Sequence, residues 1–248
     1  MGPLRVSGTA RPAFYALAPG GWRDYVTLLH PPYTLWHLSY VAVGAALAPE
    51  FQADILGLAL LAFFLAMGVG AHALDELHGR PLATRIGRRA LIALATASVT
   101  AAAAVGVVAA VRTSLWLLAF VAAGTFIVVA YNLELFGGRF HGDPWFSLSW
   151  GAFPVLATYF AAAETIRLEA VLGAAFAALL SHAQRRLSTP VRLIRRRVAS
   201  VSGGIELSDG TVIPISRETF TEEAERALRA LAACTVALAL ALVLLRVT

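Results

Sequence analysis

Positions 72 to 78 carry His72, Asp75, Glu76 and His78. Imidazole nitrogens and carboxylate oxygens together suit Zn²⁺, Fe²⁺ or Mn²⁺, and carboxylates alone suit Mg²⁺. On a helix His72, Asp75 and Glu76 fall at i, i+3 and i+4 and share one face. His78 is rotated away, or lies past the helix end that Gly79-Arg80-Pro81 imposes. The cluster closes a long apolar run, where an ionisable side chain is costly and marks a site. A second polar stretch, "YNLELFGGRFHGDPW", holds Glu134, His141 and Asp143. The candidate metal ligands are His72, Asp75, Glu76, His78, Glu134, His141 and Asp143. His72, Asp75 and Glu76 are the candidate catalytic groups. The alternative is structural: the acids pair with Arg80, Arg85 and Arg139, and the histidines sit as interfacial side chains.

The elements that position these groups are membrane helices. The 248 residues are 58% hydrophobic and 14% charged, too apolar for an ordinary soluble domain. Seven apolar segments stand out, at about 33–48, 55–77, 90–111, 114–132, 145–163, 168–183 and 226–246, against a span of roughly 20 residues. The expected fold is all-α, a polytopic bundle of about seven transmembrane helices. The polar N-terminus has no apolar core of a signal peptide, and Met-Gly there lacks the context for myristoylation.

All 20 basic residues are arginine, and the net charge is +5. Positive loops beside membrane helices account for this better than nucleic acid, so no nucleic-acid partner is expected. Arginine is concentrated after segments 2, 4 and 6, which places those loops and the N-terminus in the cytoplasm of a multi-pass inner-membrane protein. Every histidine then falls toward the cytoplasmic face, so the polar site faces the cytoplasm. Cys234 is the one cysteine, which excludes an intramolecular disulfide and a cysteine-rich metal site.

The domains read as an N-terminal cytoplasmic segment (1–24), a transmembrane bundle (25–183), an arginine-rich cytoplasmic insert (184–224) and a terminal transmembrane helix (225–248). In the insert, "GGIELSDGTVIPI" predicts a β-hairpin turning at Asp209-Gly210. Thr219 with Glu222 predicts a capping box for the last helix. The insert is too polar to hold a core alone, so it leans on the bundle or a protein partner, and its arginines suit anionic headgroups. Small residues four apart in "GVGAHA" and "AAAAVG" predict close helix packing. Trp22, Trp36, Trp116 and Trp145 read as interfacial anchors, and Trp150 as a deeper residue that could line a cavity.

Over about residues 25–180 the chain resembles the UbiA superfamily of intramembrane prenyltransferases. "LLHPPYTLWHLSYVAVGAAL" is similar to the family's first helix. "GRPLATRIGRRALIALA" is similar to its continuation after the first acidic motif, Tyr131 in "YNLEL" to its Tyr-Ser-x-Pro-Leu stretch, and "FSLSWGAFPVLATYF" to its Gly-x-x-Pro helix. The resemblance implies a lateral cavity for an isoprenoid, quinone or other lipophile; the candidate substrate contacts are Tyr131, Arg80, Arg185, Arg186 and Trp150. The departures are specific. The family's Asn-Asp-x-x-Asp-x-x-x-Asp motif for Mg²⁺ and diphosphate reads here as Ala71, His72, Asp75 and Gly79. The second acidic motif reads "HAQRR" at 182–186. One aspartate with Glu76 cannot hold the usual Mg²⁺ pair.

Three functions follow as expectations. The first is a divergent UbiA-like protein that binds or transforms a lipophile at a His/Asp/Glu site, with a divalent metal (Mg, Zn, Fe or Mn). The second is a degenerate prenyltransferase whose Arg185 and Arg186 grip a diphosphate without metal. The third is a non-catalytic lipid-binding or assembly subunit.

Overall fold

The computed structural model describes residues 11–248, so the expectations about the extreme N-terminus lie outside the described residues. The chain is built from α1 (Trp22–Leu28), α2 (Pro31–Leu47), α3 (Ala53–Leu77), α4 (Arg88–Arg112), α5 (Leu117–Asn132), α6 (Asp143–Ala163), α7 (Leu168–Arg197), β1 (Gly204–Glu206), β2 (Val212–Pro214) and α8 (Arg217–Val247). Helices α3, α4, α6 and α8 are long and apolar enough to cross a membrane, and α5 is a shorter apolar helix. The protein is therefore a mostly helical membrane protein. Each of the seven apolar segments falls on a helix, but fewer than seven are established spans. The reason is length and charge: α2 and α5 have 17 and 16 residues, and the second half of α7 is rich in arginine.

Two helices are interrupted by π-helical turns, Phe64–Ala71 in α3 and Ser147–Ala152 in α6. Such turns widen the backbone spiral and leave carbonyls open to other donors. Both contribute residues to the wall of one cavity, Met67 and Ala71 from the first and Trp150 from the second.

Packing depends on small residues. A Cβ on Gly44 of α2 would lie 2.5 Å from the Val155 carbonyl of α6, and one on Gly151 of α6 would lie 2.5 Å from the Ala177 carbonyl of α7. These contacts bring the backbones of α2, α6 and α7 together, and α8 packs along α2 and α7. In the two motifs singled out by their small residues, Gly70 abuts Val99 and Gly106 abuts Val121.

Three expectations change. Helix α7 does not end near 183 but runs to Arg197 with Pro190 inside it, so the first third of the expected insert is helix. Helix α8 begins at Arg217, and its capping box is formed by Ser216 and Thr219. Glu222 is instead held by Arg226 one turn on, because the extra turn puts both on one exposed face. Trp36 is not an interfacial anchor: it is fully buried and its indole N–H donates to the Tyr40 hydroxyl. The hairpin forms as read, with Gly204 opposite Pro214, Glu206 opposite Val212, and Gly210 at φ +84° in the turn.

Candidate functional site

Helix ends and the 11–16 segment enclose a polar cavity of about 260 Å³. Its walls come from the start of α2, the π-turn and end of α3, the end of α5, the first half of α6 and the extended half of α7. Four of the six histidines lie on it: His30, His37, His72 and His141.

Three of those rings are pinned in the same way. His37 Nδ1 lies 2.9 Å from the Trp150 carbonyl, His72 Nδ1 3.1 Å from the Gly68 carbonyl, and His141 Nδ1 2.9 Å from the Tyr131 carbonyl. A carbonyl only accepts, so each Nδ1 carries a proton, and the tautomer this selects has its lone pair on Nε2. Gly68 and Trp150 both belong to π-turns. The broken helical ladder thus supplies acceptors that fix two cavity imidazoles.

His30 stacks face to face on His72, with centroids 4.0 Å apart and planes 10° from parallel. Its Nδ1 meets the Tyr15 hydroxyl at 2.8 Å. Burial, reinforced by repulsion from His72, holds His30 well below the usual imidazole range. Burial likewise pushes the Tyr15 phenol upward. The two form a neutral, desolvated pair on the cavity wall.

The carboxylates of the opening cluster part company. Asp75 faces the cavity. Glu76 is fully buried and turned away, accepting from the Leu82 and Thr84 backbone N–H groups at 3.0 and 2.8 Å and from the Thr84 hydroxyl at 2.9 Å. Arg80 donates to the carbonyls of Thr84 and Ile86, both at 3.0 Å. Glu76 and Arg80 therefore fold the 79–87 loop and do not line the cavity. His78 and Glu134 are exposed, with His78 Nε2 and His141 Nε2 each 3.9 Å from Glu134 Oε1. Asp143 is paired with Arg185, whose guanidinium also donates to the Tyr131 hydroxyl. Tyr131, Arg185 and Trp150 are in the cavity wall, whereas Arg186 is exposed outside it.

Among the described residues no three His, Cys, Asp or Glu side chains come together as a metal-holding group. A magnesium centre of the prenyltransferase kind needs several carboxylate oxygens. Glu76 is occupied by loop donors, Asp143 by Arg185 and Glu225 by Arg195. Among the described residues only Asp75 is left in the cavity, and the residues present do not fit such a centre.

Tyr15 and Phe14 before α1 and Gln184 on α7 escaped the sequence reading, and Arg192 and Arg196, read as insert arginines suited to anionic headgroups, line the cavity instead of a loop. The signal for the α7 group was a four-residue step through Gln184, Ser188, Arg192 and Arg196, hidden by Pro190 and the Ser-Thr pair before it.

Beyond the cavity lies an apolar chamber of about 110 Å³, bounded by α3, α4, α5 and α6. Met67 and Trp150 belong to the walls of both spaces. One polar space and one apolar space thus meet at a two-residue partition. Two buried polar atoms on these walls have no hydrogen-bond partner among the described residues: Gln184 Oε1 on the cavity and Thr158 Oγ1 on the chamber.

Comparison with protein-family models, with curated proteins and with solved structures finds no match to this chain.

Proposed function

We propose that this membrane protein binds an amphiphilic lipophile, an isoprenoid, quinone or other lipid, with its polar head in the histidine- and arginine-lined cavity and its chain in the apolar chamber. The observation that carries this reading is the shared wall of Met67 and Trp150 between the two spaces. Ligand sites pair an apolar body with a few placed polar groups, and this pair of spaces has that division. On this reading the short helices α2 and α5 and the apolar first half of α7 also cross the membrane, the bundle has a UbiA-like plan, and the cavity opens toward the cytoplasm of an inner membrane. Diphosphate-dependent prenyl transfer is disfavoured by the loss of free carboxylates described above. Solvent extraction and mass spectrometry of the purified full chain test the proposal. A retained amphiphile at about one per chain, lost when Ala157→Phe fills the chamber, supports it. The same bulk lipids in the same proportions in both proteins would refute it.

A second reading, a transition-metal site on the imidazoles, is favoured by one observation. Metal-bound histidines ordinarily donate their other ring N–H to a carbonyl or carboxylate. His37, His72 and His141 already do so, leaving Nε2 available. Elemental analysis of the parent and of His72→Ala decides it. Stoichiometric zinc, iron or manganese that disappears in the variant supports the reading, and a metal-free parent sinks it.

A further inference from the structure

We propose that the head-group cavity is a metal-independent site for a singly charged oxyanion carried on an apolar chain, anchored by Arg192 and Arg196. This rests on the amphiphile reading above and names the chemistry of its head.

Helix α7 presents Gln184, Ser188, Arg192 and Arg196 to the cavity at four-residue steps, one face of the helix. Arg192 donates to the Ser188 and Thr189 hydroxyls at 3.1 and 3.0 Å. Among the described residues Arg196 reaches only the Pro12 carbonyl, at 3.4 Å. Neither forms an ion pair among the described residues, and residues 1–10 contain no Asp or Glu. The other charges on the walls cancel: Arg185 with Asp143, and Glu225 with Arg195. Two guanidinium groups then stand against Asp75, a surplus of one positive charge when Asp75 is ionised.

A partly buried guanidinium without a counter-ion is unfavourable, and its forked donors match an oxyanion. A diphosphate carries more negative charge than two arginines can offset without metal. A phosphodiester or a carboxylate balances the site. Gln184 adds a second requirement. It is 3% exposed and its carbonyl oxygen has no donor among the described residues. A hydroxyl beside the charged group would supply one. The ligand class is therefore a hydroxylated, singly anionic amphiphile.

The test is thermal unfolding of the full chain in a non-ionic detergent containing EDTA. The probes are dioctanoyl phosphatidylglycerol, dioctanoyl phosphatidylcholine, dioctanoylglycerol and free glycerol phosphate. Saturable stabilisation by the phosphatidylglycerol, well beyond that by the zwitterionic and neutral lipids, is expected. Arg192→Gln should weaken it roughly tenfold or more, the usual effect of losing a charged hydrogen bond. It should leave dioctanoylglycerol binding unchanged. Arg196→Gln is the second variant if the first does not fold. Equal binding of all three lipids would overturn the anion site and leave the amphiphile reading standing. Binding of free glycerol phosphate as tight as that of the lipid would overturn the claim that the anion is chain-borne. Binding of none would overturn both.

Discussion

His37 of α2 donates its Nδ1 proton to the carbonyl of Trp150, 2.9 Å away inside the π-turn of α6. The bond joins residues 113 positions apart and fixes two cavity walls at once. It also fixes the tautomer, turning the Nε2 lone pair away from the carbonyl. Replacing His37 by Phe keeps the ring volume and removes the donor. The expected cost is about 1–3 kcal/mol of stability for the stranded carbonyl. In protein labelled with 5-fluorotryptophan, the ¹⁹F resonance of Trp150 should shift while that of exposed Trp116 stays put.

Glu76 is expected to matter for folding and not for ligand affinity. Glu76→Ala leaves the Leu82 and Thr84 donors without their carboxylate. With three donors involved, a loss of at least about 3 kcal/mol is expected, together with proteolytic nicking in the 79–87 loop. Any folded fraction should still bind the amphiphile normally. Selective loss of binding without loss of stability would show that Glu76 serves the cavity after all.

Gly44→Ala and Gly151→Ala should both destabilise the bundle, because each new methyl meets a backbone carbonyl that cannot swing aside. About 1–3 kcal/mol per site is expected. Gly57→Ala, where nothing lies within 4 Å, is the neutral control. Equal unfolding temperatures for all three would mean that α2, α6 and α7 are spaced more widely than described.

Alkaline pH should weaken the 11–16 segment through Tyr15. Burial raises its folded pKa above the unfolded value of about 10. Above pH 10 the unfolded chain loses this proton while the folded protein retains it, so stability falls as pH rises through that range. Below pH 10 Tyr15 contributes no pH dependence. Tyr15→Phe should flatten part of the decline between about pH 10 and 11 in a thermal-unfolding series. An unchanged slope would place Tyr15 in solvent.

Helix positions were legible because apolar runs declare themselves, and the hairpin because Asp209-Gly210 forces one. The π-turns were not, since Phe64–Ala71 and Ser147–Ala152 keep the same apolar composition as their neighbours. The opening cluster was legible only in part. Spacing put His72, Asp75 and Glu76 on one face, but could not say that Thr84 and Leu82 would fold back to occupy Glu76. The apolar run of α7 stops near residue 183, so the cavity-facing stripe beyond it was read as part of the arginine-rich insert. Trp36 failed for a similar reason: position near a helix end does not reveal that Tyr40, one turn on, accepts its N–H.

The central claim is that one ligand lies across the Met67–Trp150 partition. The most direct measurement is ¹⁹F NMR of 5-fluorotryptophan protein with an amphiphile bearing a nitroxide midway along its chain, assigned with Trp150→Phe. The account predicts saturable broadening of the Trp150 resonance near one equivalent. It also predicts little effect on Trp116, which is 79% exposed, and reversal by unlabelled amphiphile. Broadening that is strongest at Trp116 and Trp22, rises without saturation and is not competed away would contradict it.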